Sequence, residues 1–169
     1  MNIRPETPAD TEAIRRVNVE AFQNHPVSRQ TEHLIVEELR RAGALEISLV
    51  AEEDGQVLGH IAFSRATVGG RDLGWRLLGP VAVLPGHQRK GVGSSLVRAG
   101  LDELRALGAA GCVLVGDPAY YTRLGFRQCR GLSWPGVPEQ YVLCLPLGGE
   151  EPEGELGCHP AFYVTGPAT

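Results

Sequence analysis

The chain has 169 residues, a formal charge of −4 and four cysteines. That length suits one hydrophobic core, and the acidic balance excludes general nucleic-acid binding, which needs a basic face. No run is apolar enough to span a bilayer, and residues 1–10 lack the basic and apolar regions of an export signal, so a cytoplasmic protein with no membrane partner is expected.

Ile3 opens a short extended segment punctuated by Pro5 and Pro8. Asp10 is placed as the cap of a helix reaching Phe22, with Ile14, Val17 and Ala21 on one face. Residues 29–42 read as a second helix, ended by Gly43. Residues 47–52 and 56–63 are predicted strands across Asp54-Gly55, a strong hairpin dipeptide. Residues 67–75 read as a polar, glycine-rich connection, and residues 77–84 as the next strand. Pro80 removes a ladder donor there, so a bulge or splay is expected, leaving amides at Val81, Ala82 and Val83 free for a ligand.

Residues 92–107 carry the clearest helical pattern, with Val97, Leu101 and Leu104 on one face and Gly108 past the end. Residues 112–115 form a predicted buried strand, 118–124 a short helix and 126–129 an extended segment. A strand over 141–145 follows, then an acidic loop. Residues 156–164 are expected to add an edge strand or to cover the site. No repeat or linker divides the chain, so a single domain over 1–169 is expected, with 146–169 as its C-terminal extension. Cys112, Cys129, Cys144 and Cys158 show no C-x-x-C pair. A zinc site is therefore not indicated, and reduced thiols are expected.

Gln88-Arg89-Lys90-Gly91-Val92-Gly93 lies between a strand and the best helix. The first amides of a helix lack internal partners and can donate to an anion. The helix dipole adds roughly 0.3–1 kcal/mol per charge. Gly91 and Gly93 remove side chains that would hold a pyrophosphate away. The stretch lacks the Gly-Lys-Ser/Thr ending of a Walker loop and the third glycine of a dinucleotide fingerprint. What remains is Q-x-x-G-x-G ahead of an amphipathic helix.

That pattern resembles the acetyl-CoA motif of the GNAT superfamily of N-acetyltransferases. The resemblance extends to the strand ending Val81-Ala82-Val83, to the strand starting at Cys112, and to Tyr121-x-x-x-Gly125-Phe126. Asp117-Pro118-Ala119-Tyr120-Tyr121 and Cys158-His159-Pro160-Ala161-Phe162-Tyr163 are similar to the YhbS-like branch of bacterial N-acetyltransferases. The resemblance covers nearly the whole chain. It implies an α/β (α+β) fold: a mixed, mostly antiparallel sheet, splayed between its fourth and fifth strands and flanked by helices. It implies transfer of an acetyl group from acetyl-CoA, without a metal, to a primary amine of a small molecule or protein by direct attack in a ternary complex. Homodimers are common in such proteins. A non-catalytic acyl-CoA-binding regulator is the alternative, because the strand that often carries a glutamate has none here.

By the same resemblance, Val81, Ala82 and Val83 line the pantetheine arm. Gln88, Arg89, Lys90, Gly91, Val92, Gly93 and Ser94 hold the phosphates, and Ser95 assists through its hydroxyl. Tyr121 is the expected general acid on sulfur, and Tyr120 is given a packing role. Deprotonating a lysine-like amine at pH 7 costs about 4.6 kcal/mol, so a base matters more than an acid. Asp117 is the expected base, ahead of His87, Glu52 and His60. It also reads as a helix cap before Pro118. Trp75 and Trp134 are placed in loops.

Overall fold

The computed structural model describes residues 1–164. Strand β1 (Asn2–Pro5) leads through a short turn into helix α1 (Thr11–Phe22) and helix α2 (Glu32–Arg41). Strands β2 (Ile47–Glu53), β3 (Gln56–Val68) and β4 (Trp75–Val83) follow as a meander. Helix α3 (Val92–Ala106) crosses to β5 (Gly111–Val115), and α4 (Pro118–Tyr121) follows. Short strands β6 (Arg127–Gln128) and β7 (Leu132–Ser133) precede β8 (Val142–Pro146) and β9 (Gly154–Cys158).

The sheet runs β1-β2-β3-β4-β5-β8-β6. Along that path only β4 and β5 are parallel, as a crossover through α3 requires. Alternation along the strands separates two cores. Leu49, Ala51, Ile61 and Phe63 point to one face, where Leu96, Val97, Leu101 and Leu104 of α3 cover them. Val50, Leu58 and Ala82 point to the other, under Ile14 and Val17 of α1 and Val36 of α2. Each such fully buried aliphatic side chain contributes roughly 1.5–3 kcal/mol.

Several elements depart from the sequence pattern. Helix α2 begins at Glu32 because Gln30 has φ 62°, a left-handed conformation that a helix cannot continue through. Strand β3 continues to Val68, where Ala66, Thr67 and Val68 pair with Cys158, Gly157 and Leu156 of β9. The C-terminal segment thus supplies the expected edge strand. A helical turn at Pro160–Tyr163 then packs Ala161 against Ile35 and Leu39 of α2. Trp75 is not in a loop: it opens β4, is 1% exposed and lies under Gly111. Trp134 packs on the same core as Trp75, beside Leu132 and Leu156.

Four reduced thiols are not what the structure shows. Cys129 and Cys144 form a disulfide with Cα atoms 5.9 Å apart, and both are buried. Cys112 and Cys158 are free. No helix among the described residues is long and apolar enough to cross a membrane, and no cluster of metal-ligating side chains forms among them.

Candidate active site

Strand β4 pairs with β5 only at Trp75, Arg76 and Leu77, opposite Gly111, Cys112 and Val113. Beyond that point β5 stays with β8, through Leu114 with Leu143 and Val115 with Val142. The two central strands therefore part company, and β4 acquires an open edge. The irregularity expected at Pro80 is present: β3 advances from Ile61 to Phe63 while β4 steps from Val81 back to Leu78. On the other side of β4, Leu84 N donates to Leu58 O at 2.9 Å, and Ala82 lies opposite His60. Antiparallel alternation then turns the backbone groups of Val81 and Val83 toward the open edge.

The turn after β4 is built to leave donors free. Arg89 (φ 62°) and Gly91 (φ 85°) both adopt left-handed conformations, which fold the chain sharply into α3. Gly91 is the N-cap of α3 and provides no side-chain acceptor. The first return bond runs from Ser95 N to Gly91 O at 3.0 Å, so the amides of Val92, Gly93 and Ser94 have no helical partner. Arg89 and Lys90 are exposed beside them. Gln88 takes a different position: its Nε2 donates to Val83 O at 3.0 Å and ties the turn to the end of β4.

Helix α4 faces this turn. Tyr120 is more than a packing residue. Its hydroxyl lies 3.1 Å from Ser94 Oγ, and a Cβ on Gly93 would come within 3.0 Å of it. Arg123 sits over the Tyr120 ring, 5.6 Å from its centroid. Tyr121 is turned inward. Its ring meets Tyr120 edge-on at 4.9 Å and Phe126 at 5.8 Å, and it packs under Gly116. Burial, with smaller contributions from Tyr120 and Cys112, raises the Tyr121 phenol above its ordinary range, so it keeps its proton at neutral pH.

Asp117 caps α4: Oδ1 accepts from Ala119 N at 2.9 Å. The adjoining Gly116 N donates to Tyr141 O at 3.0 Å, which fixes the end of β5. Glu52 is engaged elsewhere, with Arg4, which also binds Asp10 at 2.8 Å. His60 is fully buried. Its Nδ1 lies 3.2 Å from Asn18 Nδ2 and its Nε2 2.8 Å from Ser48 Oγ. Burial, and to a lesser degree Arg40, pushes its pKa down to about 3, so it is neutral. His87 lies in the helical turn Pro85–His87, on the far side of the phosphate-type turn from Tyr121.

Sequence reading did not find the Tyr120–Ser94 contact or the Asn18–His60–Ser48 chain. Both join side chains far apart in sequence, and neither leaves a local spacing signal.

The sequence model of the acetyltransferase (GNAT) domain matches residues 2–129. The chain is 38% identical over 151 residues to the uncharacterized N-acetyltransferase YhbS of Escherichia coli strain K12, covering 85% of this chain and 86% of that one. Among solved structures, a GNAT family acetyltransferase from Brucella melitensis in complex with acetyl-CoA is 49% identical, with a TM-score of 0.86 over 95% of this chain and 97% of that one. YhbS from Escherichia coli in complex with CoA is 34% identical, with a TM-score of 0.89 over 98% and 93%. The parted strands, the uncapped turn and these likenesses agree, and the chain belongs to the GNAT acetyltransferase family.

Proposed function

We propose that this protein transfers an acetyl group from acetyl-CoA to a primary amine. One observation carries the reading: an open β4 edge leads directly into a helix whose first amides lack partners. Few ligands need both features. A pantetheine arm presents amides that pair with a strand edge, and its pyrophosphate suits a helix N-terminus. The Brucella melitensis and Escherichia coli relatives, with acetyl-CoA and CoA bound, support the same donor.

The residues divide the work by position. Val81 and Val83, flanking Ala82, offer backbone groups to the arm. Val92, Gly93 and Ser94 amides, with Arg89 and Lys90, would hold the pyrophosphate, Gly91 shapes the turn, and Ser95 adds a hydroxyl within the first helical turn. Acetyl-CoA supplies the thioester. Tyr121, protonated and within the core beside the splay, is assigned as the acid that protonates the departing sulfur. Asp117 is assigned as the base: one carboxylate oxygen caps α4, which leaves the other to take a proton from the amine, directly or through a water.

The test is release of CoA thiol from acetyl-CoA by the full chain with and without a panel of amines. Amine-dependent release supports the reading. Tight acetyl-CoA binding with no release by any amine contradicts it.

A further inference from the structure

A cavity of about 60 Å³ lies between α1 and α2, lined by Asn18, Val19, Phe22, Gln30, Glu32 and His33. Asn18 is 1% exposed, yet its Oδ1 has no hydrogen-bond partner among the described residues. The amide orientation is set by its other end. Nδ2 donates to Ile14 O at 3.0 Å and faces His60 Nδ1, and a flipped amide would set Oδ1 against that carbonyl. A buried acceptor without a partner destabilises the fold unless something donates to it.

The rest of the lining is also acceptor-rich. Gln30 uses its Nε2 on the carbonyls of Phe22 and Gln23, at 2.6 and 3.1 Å, which leaves Oε1. Glu32 takes the Ser28 hydroxyl on Oε1, which leaves Oε2. His33 adds no cation, because burial and the nearby Arg15 lower its pKa, and Arg15 itself is paired with Glu37. Three acceptors, one of them anionic, in a space of this size match a primary ammonium, which has three donors and no acceptor. The Phe22 ring and Val19 supply the apolar side.

The position relates the cavity to the reaction. Asn18 touches His60, and His60 lies opposite Ala82, between the two residues whose backbone faces the open edge. Adjacent strands are about 5 Å apart, so the cavity lies within reach of an acceptor that extends over β4. The reacting nitrogen must be neutral, whereas an anionic, acceptor-lined site favours the charged form. The group in the cavity is therefore not the one acetylated. Resting on the amine-acetylation reading above, we infer that the cavity binds a second, non-reacting ammonium of the acceptor, so that the preferred acceptor is a diamine.

The probes are carbon-matched pairs, n-butylamine against 1,4-diaminobutane and n-pentylamine against 1,5-diaminopentane. The diamine of a pair is expected to exceed its monoamine at least about tenfold in kcat/KM, the scale of one charge-assisted hydrogen bond. Glu32→Gln should raise the diamine KM about tenfold and remove most of that preference. Equal turnover of diamine and monoamine overturns this inference while leaving amine acetylation intact, and so does a preference that Glu32→Gln does not change. If no amine is acetylated, the acetylation reading fails, and calorimetry of 1,4-diaminobutane with the CoA-loaded protein then decides the cavity. Binding weakened by Glu32→Gln upholds the inference, and absent or Glu32-independent binding overturns it.

Discussion

Tyr120 and Tyr121 are neighbours with different environments, and that difference is testable. Tyr121 is held protonated within the core, whereas Tyr120 reaches Ser94 at the head of α3. Tyr121→Phe is expected to lower kcat about a hundredfold, the low end for general acid catalysis, with little change in KM for acetyl-CoA. Tyr120→Phe should instead raise that KM by roughly two- to tenfold, the value of one net hydrogen bond, and leave kcat close to wild type. Steady-state kinetics in which the two variants behave alike would contradict the division. Asp117→Asn separates cap from base, because asparagine caps a helix as well as aspartate does. The variant should keep its melting temperature, lose rate and lose the acidic limb of its pH profile. An unchanged rate and limb would move the base elsewhere. The Y-x-x-x-G-F spacing points to Tyr121 from sequence alone. The direction of the Tyr120 hydroxyl does not show there, since its partner is 26 residues away on another helix.

Among the elements, α3 and the β4 turn were legible because their signals are local: apolar residues at helical spacing, glycines at the turn, and a proline that a regular strand cannot hold. The far end of β3 was not. Ser64, Arg65 and Thr67 read as a connection, yet β9, some ninety residues downstream, pairs with that segment and buries Ala66 and Val68. The disulfide was hidden for the same reason. Cys129 and Cys144, 15 residues apart, meet because β6 folds back on β8. Chain-entropy arguments give about 3 kcal/mol for a loop of that length. Denaturant curves should lose about that much on reduction, and Cys129→Ser should remove the sensitivity; curves indifferent to reductant would count against the bridge.

His60 links β3, α1 and β2, and its burial gives the fold a pH dependence. An unfolded histidine takes up a proton near pH 6.5, while folded His60 does not until about 3. Between those values the unfolded state binds more protons, so stability falls as pH falls, by up to about 1.4 kcal/mol per unit. Urea unfolding at several pH values from 7 to 4 should show this slope in the wild type and a shallower one in His60→Gln. Equal slopes would show that His60 is not the source.

At the scale of the whole molecule, the sheet separates two tasks. Helix α3 covers one face and presents its free amides for the donor, whereas α1 and α2 cover the other and enclose the acceptor-rich cavity. The gap between β4 and β5 joins the two faces. The donor was legible in the sequence because phosphate binding needs glycines at fixed offsets from a helix start. The acceptor was not, because its site is assembled from single side chains on two helices and the loop between them. The net charge of −4 is no obstacle to an anionic donor, since Arg89 and Lys90 lie beside the turn. The central claim is that this gap brings a thioester and an amine together. The most direct measurement follows one reaction of the full chain with acetyl-CoA and a diamine, quantifying acetylated amine by mass spectrometry alongside the CoA thiol released. Equal amounts of the two, accumulating together over many turnovers, are predicted. Thiol release without acetylated amine, or neither product despite bound acetyl-CoA, would contradict the claim.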